Sequence, residues 1–409
     1  MKFSTKLIHG NYNLENTGAT NVPIYMSNAY AHSSPQELEN VFKGKFPGYV
    51  YSRFSNPTVL EFERRMASIE GGLTATSAAS GMSAIYMAIT NIVHPGDEII
   101  ASTGLYGGTY TLISNLQNIG VKVIFLEDIS KKTLLNNINE NTKLVYTETI
   151  GNPKLDILDI ESVGRVCKEK GIIFMVDSTI STPYLINPSK YGADVIIHST
   201  SKYINGTSNA IGGMIVDCGS EKYKNHRYEN FQKYAEKYDK LAFTAKLKST
   251  SGLDIGASMS PFNAFLSLTG IETLSLRMKK HCENAMKIAS YLEKSDKVTN
   301  VNYPNLKSSK YYDLATKYYA DGASGILTFR LGTKENAYKF LAKLKLILDT
   351  TNIGDCKTII IHPASTICIN NTEEEREKMA VYDDLLRLSV GIEDIEDILE
   401  DIDRALEAI

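Results

Sequence analysis

An aspartate and a lysine, each at the end of a short apolar run, are the residues of this chain best suited to do chemistry. Ile172-Ile173-Phe174-Met175-Val176 leads into Asp177-Ser178-Thr179, and Val195-Ile196-Ile197-His198 leads into Ser199-Thr200-Ser201-Lys202. A third run, Leu144-Val145-Tyr146-Thr147, ends at Glu148, followed by Gly151-Asn152-Pro153. An acid and an amine at neighbouring strand ends, with hydroxyls around the amine, match what pyridoxal phosphate requires. The lysine forms a Schiff base, the carboxylate keeps the pyridine nitrogen protonated, and the hydroxyls bind the phosphate. A structural ion pair, or two strand-end residues facing water, accounts for the same spacing.

Other residues fit around that nucleus. Ser77-Ala78-Ala79-Ser80-Gly81-Met82-Ser83 precedes a helical pattern carrying Ile85, Ala88, Ile89 and Ile92 on one face. Small residues at a helix N-terminus let backbone N–H groups approach a phosphate, although an ordinary capped helix has the same lead-in. Neither G-x-G-x-x-G nor a Walker loop is present. Leu105-Tyr106-Gly107-Gly108-Thr109 offers an aromatic in a glycine-rich turn, suited to stacking on a flat ring or simply to packing. Tyr51-Ser52-Arg53 sets a phenol and a guanidinium on one side of an extended segment, a pair able to grip a phosphate.

These residues need a scaffold that brings strand ends together. Short β-branched runs at 98–101, 121–126, 144–147, 172–176 and 195–198 alternate with segments of helical period. One of these, Asp159 to Lys170, carries Ile160, Val163, Val166 and Cys167 on one face and stops at Gly171. Strands alternating with helices imply crossovers and a mostly parallel sheet covered on both sides, with ligands beyond the carboxyl ends of the strands. Asn56-Pro57 is a helix start, and Gly71-Gly72 is its stop. The rhythm loosens after residue 217, and the charged, tyrosine-rich stretch 221–248 reads as a surface excursion. Strands at 326–330, 358–362 and 388–391 and a final amphipathic helix (Ile395, Ile398, Leu399, Ile402, Leu406, Ile409) then describe a smaller α+β unit. The division expected is an arm over 1–55, including the Gly10-Asn11-Tyr12-Asn13 stretch, an α/β domain over 56–255 and a C-terminal α+β domain over 256–409.

Composition narrows the function. The 44 basic and 47 acidic residues leave a net charge of -3, without the basic excess that nucleic-acid binding needs. No apolar stretch approaches a membrane span, and the first residues lack a signal peptide's apolar block, so a cytoplasmic protein is expected. The five cysteines are odd in number and far apart, and the histidines lack ligand spacing, so neither a disulfide framework nor a metal site is expected.

Taken in order, these strings resemble the Cys/Met-metabolism pyridoxal-phosphate enzymes: 51–58 (YSRFSNPT), Ser80-Gly81-Met82, 105–109, 148–153 (ETIGNP), 176–179, 198–203 (HSTSKY) and 387–393 (RLSVGIE). The resemblance spans nearly the whole chain. It implies the PLP-dependent transferase fold type I, aspartate aminotransferase-like. Lys202 would be the Schiff-base lysine, and Asp177 the partner of the pyridine nitrogen. Ser199, Ser201 and the backbone at Gly81-Met82 would hold the phosphate. Tyr106 would stack on the cofactor and shuttle a proton. Tyr51 and Arg53 would reach a neighbouring subunit's phosphate, making the protein a dimer with shared sites and, by analogy, a tetramer. Arg387 would bind the substrate α-carboxylate with Asn152 and the backbone near Asn352.

Within the family, Ala19–Tyr25, Glu148–Pro153, Ser258–Asn263 and Asn352-Ile353-Gly354-Asp355 resemble the O-acetylhomoserine sulfhydrylase branch. The implied reaction is replacement at the γ-carbon of O-acetyl-homoserine by sulfide or a thiol. A methionine γ-lyase is the alternative, which Gly108 weakens and Lys202–Gly206 keeps open. A non-catalytic paralogue would be expected to have lost Lys202, Asp177 or Arg387, and all three are present. Thr207, Ile367, Cys368 and Ser178 depart from the family pattern. Ile367 and Cys368, near the expected substrate mouth, bear on the choice of substrate; Cys368 reads as a buried structural thiol.

Overall fold

The computed structural model describes residues 1–10 and 18–409, so Asn11, Tyr12 and Asn13 of the Gly/Asn-rich stretch lie outside the described residues. Two sheets organise the rest. The larger has seven strands: β1 (Thr74–Ala78), β2 (Glu98–Ser102), β3 (Lys122–Leu126), β4 (Thr142–Glu148), β5 (Ile173–Asp177), β6 (Val195–Ser199) and β7 (Gly213–Asp217). Their order is β1-β7-β6-β5-β4-β2-β3, with only β7 antiparallel to its neighbours. The strand ends holding Asp177 and Ser199 are therefore adjacent, and Glu148 pairs directly with Asp177.

Burial on both faces explains the uninterrupted apolar runs. Phe174 and Val176 join one core, while Ile173 and Met175 join the other, because successive strand side chains point to opposite faces. The helix Pro57–Glu70 starts as its residues dictate: the Asn56 side chain accepts from the N–H groups of Thr58 and Val59. It stops where Gly71 adopts φ 69°, a left-handed conformation that costs glycine little. Its last residue, Glu70, meets His198 of β6 at 2.5 Å, both side chains fully buried.

The smaller sheet contains β8 (Asn300–Asn302), β9 (Ile326–Arg330), β10 (Leu348–Asp349), β11 (Ile359–Ile361) and β12 (Leu385–Ser389), in the order β10-β11-β12-β9-β8. Leu327, Phe329, Leu386 and Leu388 share a core with Ile288 of the helix Leu274–Leu292 and with Ile398 and Ile402 of the helix Ile395–Leu406.

Four expectations differ from the structure. Strand β12 ends at Ser389, so Val390 and Gly391 follow it and the run begins three residues earlier than the pattern at 388–391 suggests. Strands β1 and β7 were not anticipated; β1 is built of small residues, and β7 runs against the parallel rhythm. The first 55 residues carry two short helices, Phe3–His9 and Pro35–Phe42. The stretch 221–248 is not a surface excursion: Tyr223, Phe231 and Phe243 stack on one another inside the second core, while most of the charged residues between them, with Tyr238 and Leu241, face water. Its aromatic spacing, set by short 3-10 and α turns, fits neither a strand nor a long helix.

Candidate active site

A cavity of about 590 Å³ opens beyond the carboxyl ends of β4, β5 and β6. It gathers Lys202, Asp177, Ser199, Ser201, Gly81, Met82, Tyr106, Asn152, Asn352 and Arg387 from seven separate stretches of chain. Two expected residues are not among its walls. Tyr51 is exposed, and Arg53 donates to the Leu253 carbonyl at 2.8 Å while its guanidinium sits over the Phe54 ring.

One end suits an anion. The helix Gly81–Ile92 begins there, and Ser80 and Ser83 cap it reciprocally. The cap takes the Ser83 N–H, while Gly81 and Met82 bring the first N–H groups of the helix to the cavity. Glycine is required at 81 by close approach: a Cβ would stand 2.7 Å from the Ser199 Cβ. The Ser199 N–H donates to the Thr179 hydroxyl at 2.8 Å, and the Thr179 N–H donates to Asp177 Oδ1 at 2.9 Å. Thr179 thus ties the anion end to the acid. The Ser201 hydroxyl bonds both the carbonyl and the N–H of Gly212, which locks its rotamer at the rim.

The acid end holds two carboxylates side by side. Burial raises the pKa of Asp177, and burial together with Asp177's own charge raises Glu148 well above the usual carboxylate range. Glu148 Oε1 accepts the Tyr106 N–H at 2.8 Å, which anchors the turn that carries Tyr106. Burial holds the Tyr146 phenol far up as well, with the charges of Asp177 and Glu148 adding to it. His198, itself held by Glu70, acts on Asp177 from behind the strand, and a protonated ring nitrogen would add a cation from the cavity side.

Lys202 and Arg387 complete the walls. Lys202 Nζ donates to Asn352 Oδ1 at 2.5 Å, and burial with the nearby guanidinium of Arg387 brings its amine down to about 8. Arg387, at the centre of β12, is fully buried, and that burial lowers it to about 10. It donates to Asn152 Oδ1 at 3.0 Å and to the carbonyls of Thr351 and Asn352. Its Nε has no partner among the described residues, and a buried guanidinium without a carboxylate is poised for an incoming one. Ile180, Ile211, Ile353 and Ile367 form apolar walls, whereas Cys368 is buried against Ala364, Met379 and Val381. Burial raises its thiol, as expected for an inert structural cysteine.

The sequence reading missed Thr179's bridging role, Ser208 and Ile211. Thr179 follows Asp177 by two residues, a spacing that offers a signal; Ser208 and Ile211 sit in a loop without periodicity. Among the described residues no helix is long and apolar enough to cross a membrane, and no group of His, Cys, Asp or Glu is arranged to hold a metal ion.

The profile of the Cys/Met metabolism PLP-dependent enzymes matches residues 4–407. The chain belongs to that family. It is 40% identical to the O-acetyl-L-homoserine sulfhydrylase of Leptospira meyeri, covering all of this chain and 97% of that one. It is 39% identical to the homocysteine synthase of Schizosaccharomyces pombe, over 96% and 94% of the two chains. A crystal structure assigned as an O-acetylhomoserine (thiol)-lyase, from Campylobacter jejuni, superposes with a TM-score of 0.96 at 37% identity over the full length of both; it contains a pyridoxyl-lysine phosphate. The architecture is the PLP-dependent fold type I. The residues present fit that cofactor on their own geometry: a helix N-terminus with no room for a Cβ, a buried carboxylate at the neighbouring strand end, and an amine held near 8.

Proposed function

We propose that this protein replaces the acetoxy group of O-acetyl-L-homoserine with sulfide, giving L-homocysteine and acetate; methanethiol in place of sulfide would give methionine. At the γ-carbon a C–O bond breaks and a C–S bond forms, with the proton of the sulfur nucleophile balancing the departing acetate. The observation that carries this reading is the buried Arg387, with its Nε unpaired, beside the depressed amine of Lys202 in one apolar-walled cavity. The names of the full-length relatives at 39–40% identity support the same choice of substrate.

Pyridoxal phosphate, when bound, supplies an electron sink that acidifies the protons of the substrate amino acid. Lys202 would bind it, Asp177 would face the ring nitrogen, and the Gly81-Met82 backbone with Ser199 would hold its phosphate. Arg387 and Asn152 would orient the substrate through its α-carboxylate. An amine near 8 accepts and returns protons at neutral pH with little driving-force penalty, which suits Lys202 to move them between the α- and β-carbons. Tyr106, fixed through its backbone by Glu148, would stack on the ring and serve as a second proton carrier. The isoleucine walls would exclude water, so that sulfide rather than hydroxide attacks.

Tyr51 and Arg53, outside the walls of their own cavity, would complete the phosphate site of a second copy. The exposed Phe54, which packs against both, and the exposed Phe42 and Phe46 earlier in the same arm support such an interface. A dimer with shared sites, paired into a tetramer in the cytoplasm, is the assembly proposed.

The test is a product assay on cofactor-loaded protein. O-Acetyl-homoserine with sulfide should yield homocysteine, and methionine alone should yield no 2-oxobutyrate. Rapid release of 2-oxobutyrate and methanethiol from methionine would overturn the reading in favour of a γ-lyase.

A further inference from the structure

We infer that Asp355 is a positioning residue for Lys202, acting through Ser208 and Asn352. The inference rests on Lys202 being the reactive amine. Asp355 is buried, and its Oδ2 accepts the Ser208 hydroxyl proton at 2.5 Å. A serine has one proton to give, so Ser208 Oγ must act as the acceptor in its second bond, from Asn352 Nδ2 at 2.7 Å. That leaves Asn352 Oδ1, an acceptor, facing Lys202 Nζ at 2.5 Å.

The polarity of the whole chain is therefore set at its far end. A carboxylate can only accept, and each link transmits that constraint until the lysine meets an oxygen. A flipped Asn352 amide would point its NH2 at the ammonium. The backbone supports the same function, since Ser208 holds φ 56°, a left-handed conformation uncommon for serine, and this turn brings its hydroxyl between Asn352 and Asp355. Other charges act on Lys202 as well. Arg387 from β12 depresses it, and Tyr106, Glu148 and Asp177 line the same cavity, while Asp355 itself also accepts from Lys357. None of these reverses the Asn352 amide.

An acceptor beside an ammonium favours the charged form, so the chain opposes the depression caused by burial. Removing it should lower the amine further. The experiment measures the pH dependence of Lys202 trinitrophenylation in cofactor-free protein, followed by mass spectrometry of the Lys202 peptide, for the parent chain, Asp355→Asn and Ser208→Ala. The parent midpoint should lie near 8. Both variants should shift it down by roughly half a unit or more, so that the amine reacts about threefold faster at pH 7. The double variant should shift it no further than either alone, because one chain is being cut. Unchanged midpoints in both variants would overturn the inference, even if turnover fell, since that would leave Asp355 a merely structural role. Borohydride trapping of cofactor on the Lys202 peptide separately tests whether Lys202 is the reactive amine, so the two failures are distinguishable.

Discussion

The two walls of the cavity are built on different principles. The inner wall comes from the ends of β4, β5 and β6 and the start of the helix Gly81–Ile92, all within the seven-stranded sheet. Its residues are fixed by ladder register and double-sided burial; Asp177 opposes Ile197, and the Ser199 N–H is tied to Thr179. The outer wall comes from loops at 207–211, 351–354 and 366–368 together with Arg387. There the ordering comes from side-chain chains, such as Asp355–Ser208–Asn352–Lys202, and from single apolar residues such as Ile367. The contrast teaches a division of labour. On the function proposed, the wall built on strands would hold a group that stays, while the looped wall would meet substrates that come and go.

Lys202 stands where the walls meet, so its loss should have the largest effect. Lys202→Ala is expected to lower turnover by about 10²–10⁴-fold and to abolish borohydride-trapped cofactor, checked by steady-state rates and peptide mass. Loss of only a fewfold would break the comparison. Next, Glu70→Ala strips the buried His198 of its partner behind β6, and should cost roughly 3–5 kcal/mol in a urea unfolding experiment. A cost near zero would mean that the inner wall is not held from behind. Gly81→Ala crowds Ser199 and should weaken cofactor affinity by about tenfold or more, an overpacking penalty of about 1–3 kcal/mol, measured by fluorescence titration. Least of all, Ile367→Thr should leave cofactor affinity unchanged and raise the share of 2-oxobutyrate among products by about fivefold or less, since it wets only the outer wall. Equal changes in cofactor binding and partition would erase the distinction between the walls.

The inner wall was legible in the sequence because strands buried on both faces read as apolar runs, and their ends name the ligand side. Asn56 and Gly71 likewise delimit their helix by local chemistry alone. Small-residue β1 and antiparallel β7 escaped because their place depends on pairing with each other and with β6, which no local period records. The stretch 221–248 was misread because its charges dominate composition, while three stacked aromatics decide its burial. The outer wall was legible only as isolated residues. Arg387 and Asn352 could be singled out, but not that Asn352 turns its oxygen to Lys202 while Arg387 keeps its buried Nε unpaired.

By itself, then, the sequence determined the alternation of strands and helices, the strand-end acid and amine, and the helix start that suits an anion. These follow from periodicity and capping, which act over a few residues. Only the tertiary structure decided which amide atom faces the lysine, how far its amine is depressed, and that Tyr51 and Arg53 stand outside the walls of their own cavity. Those features depend on groups some 150 residues apart in sequence meeting in a desolvated space, where hydrogen-bond polarity and burial rather than local pattern set the outcome.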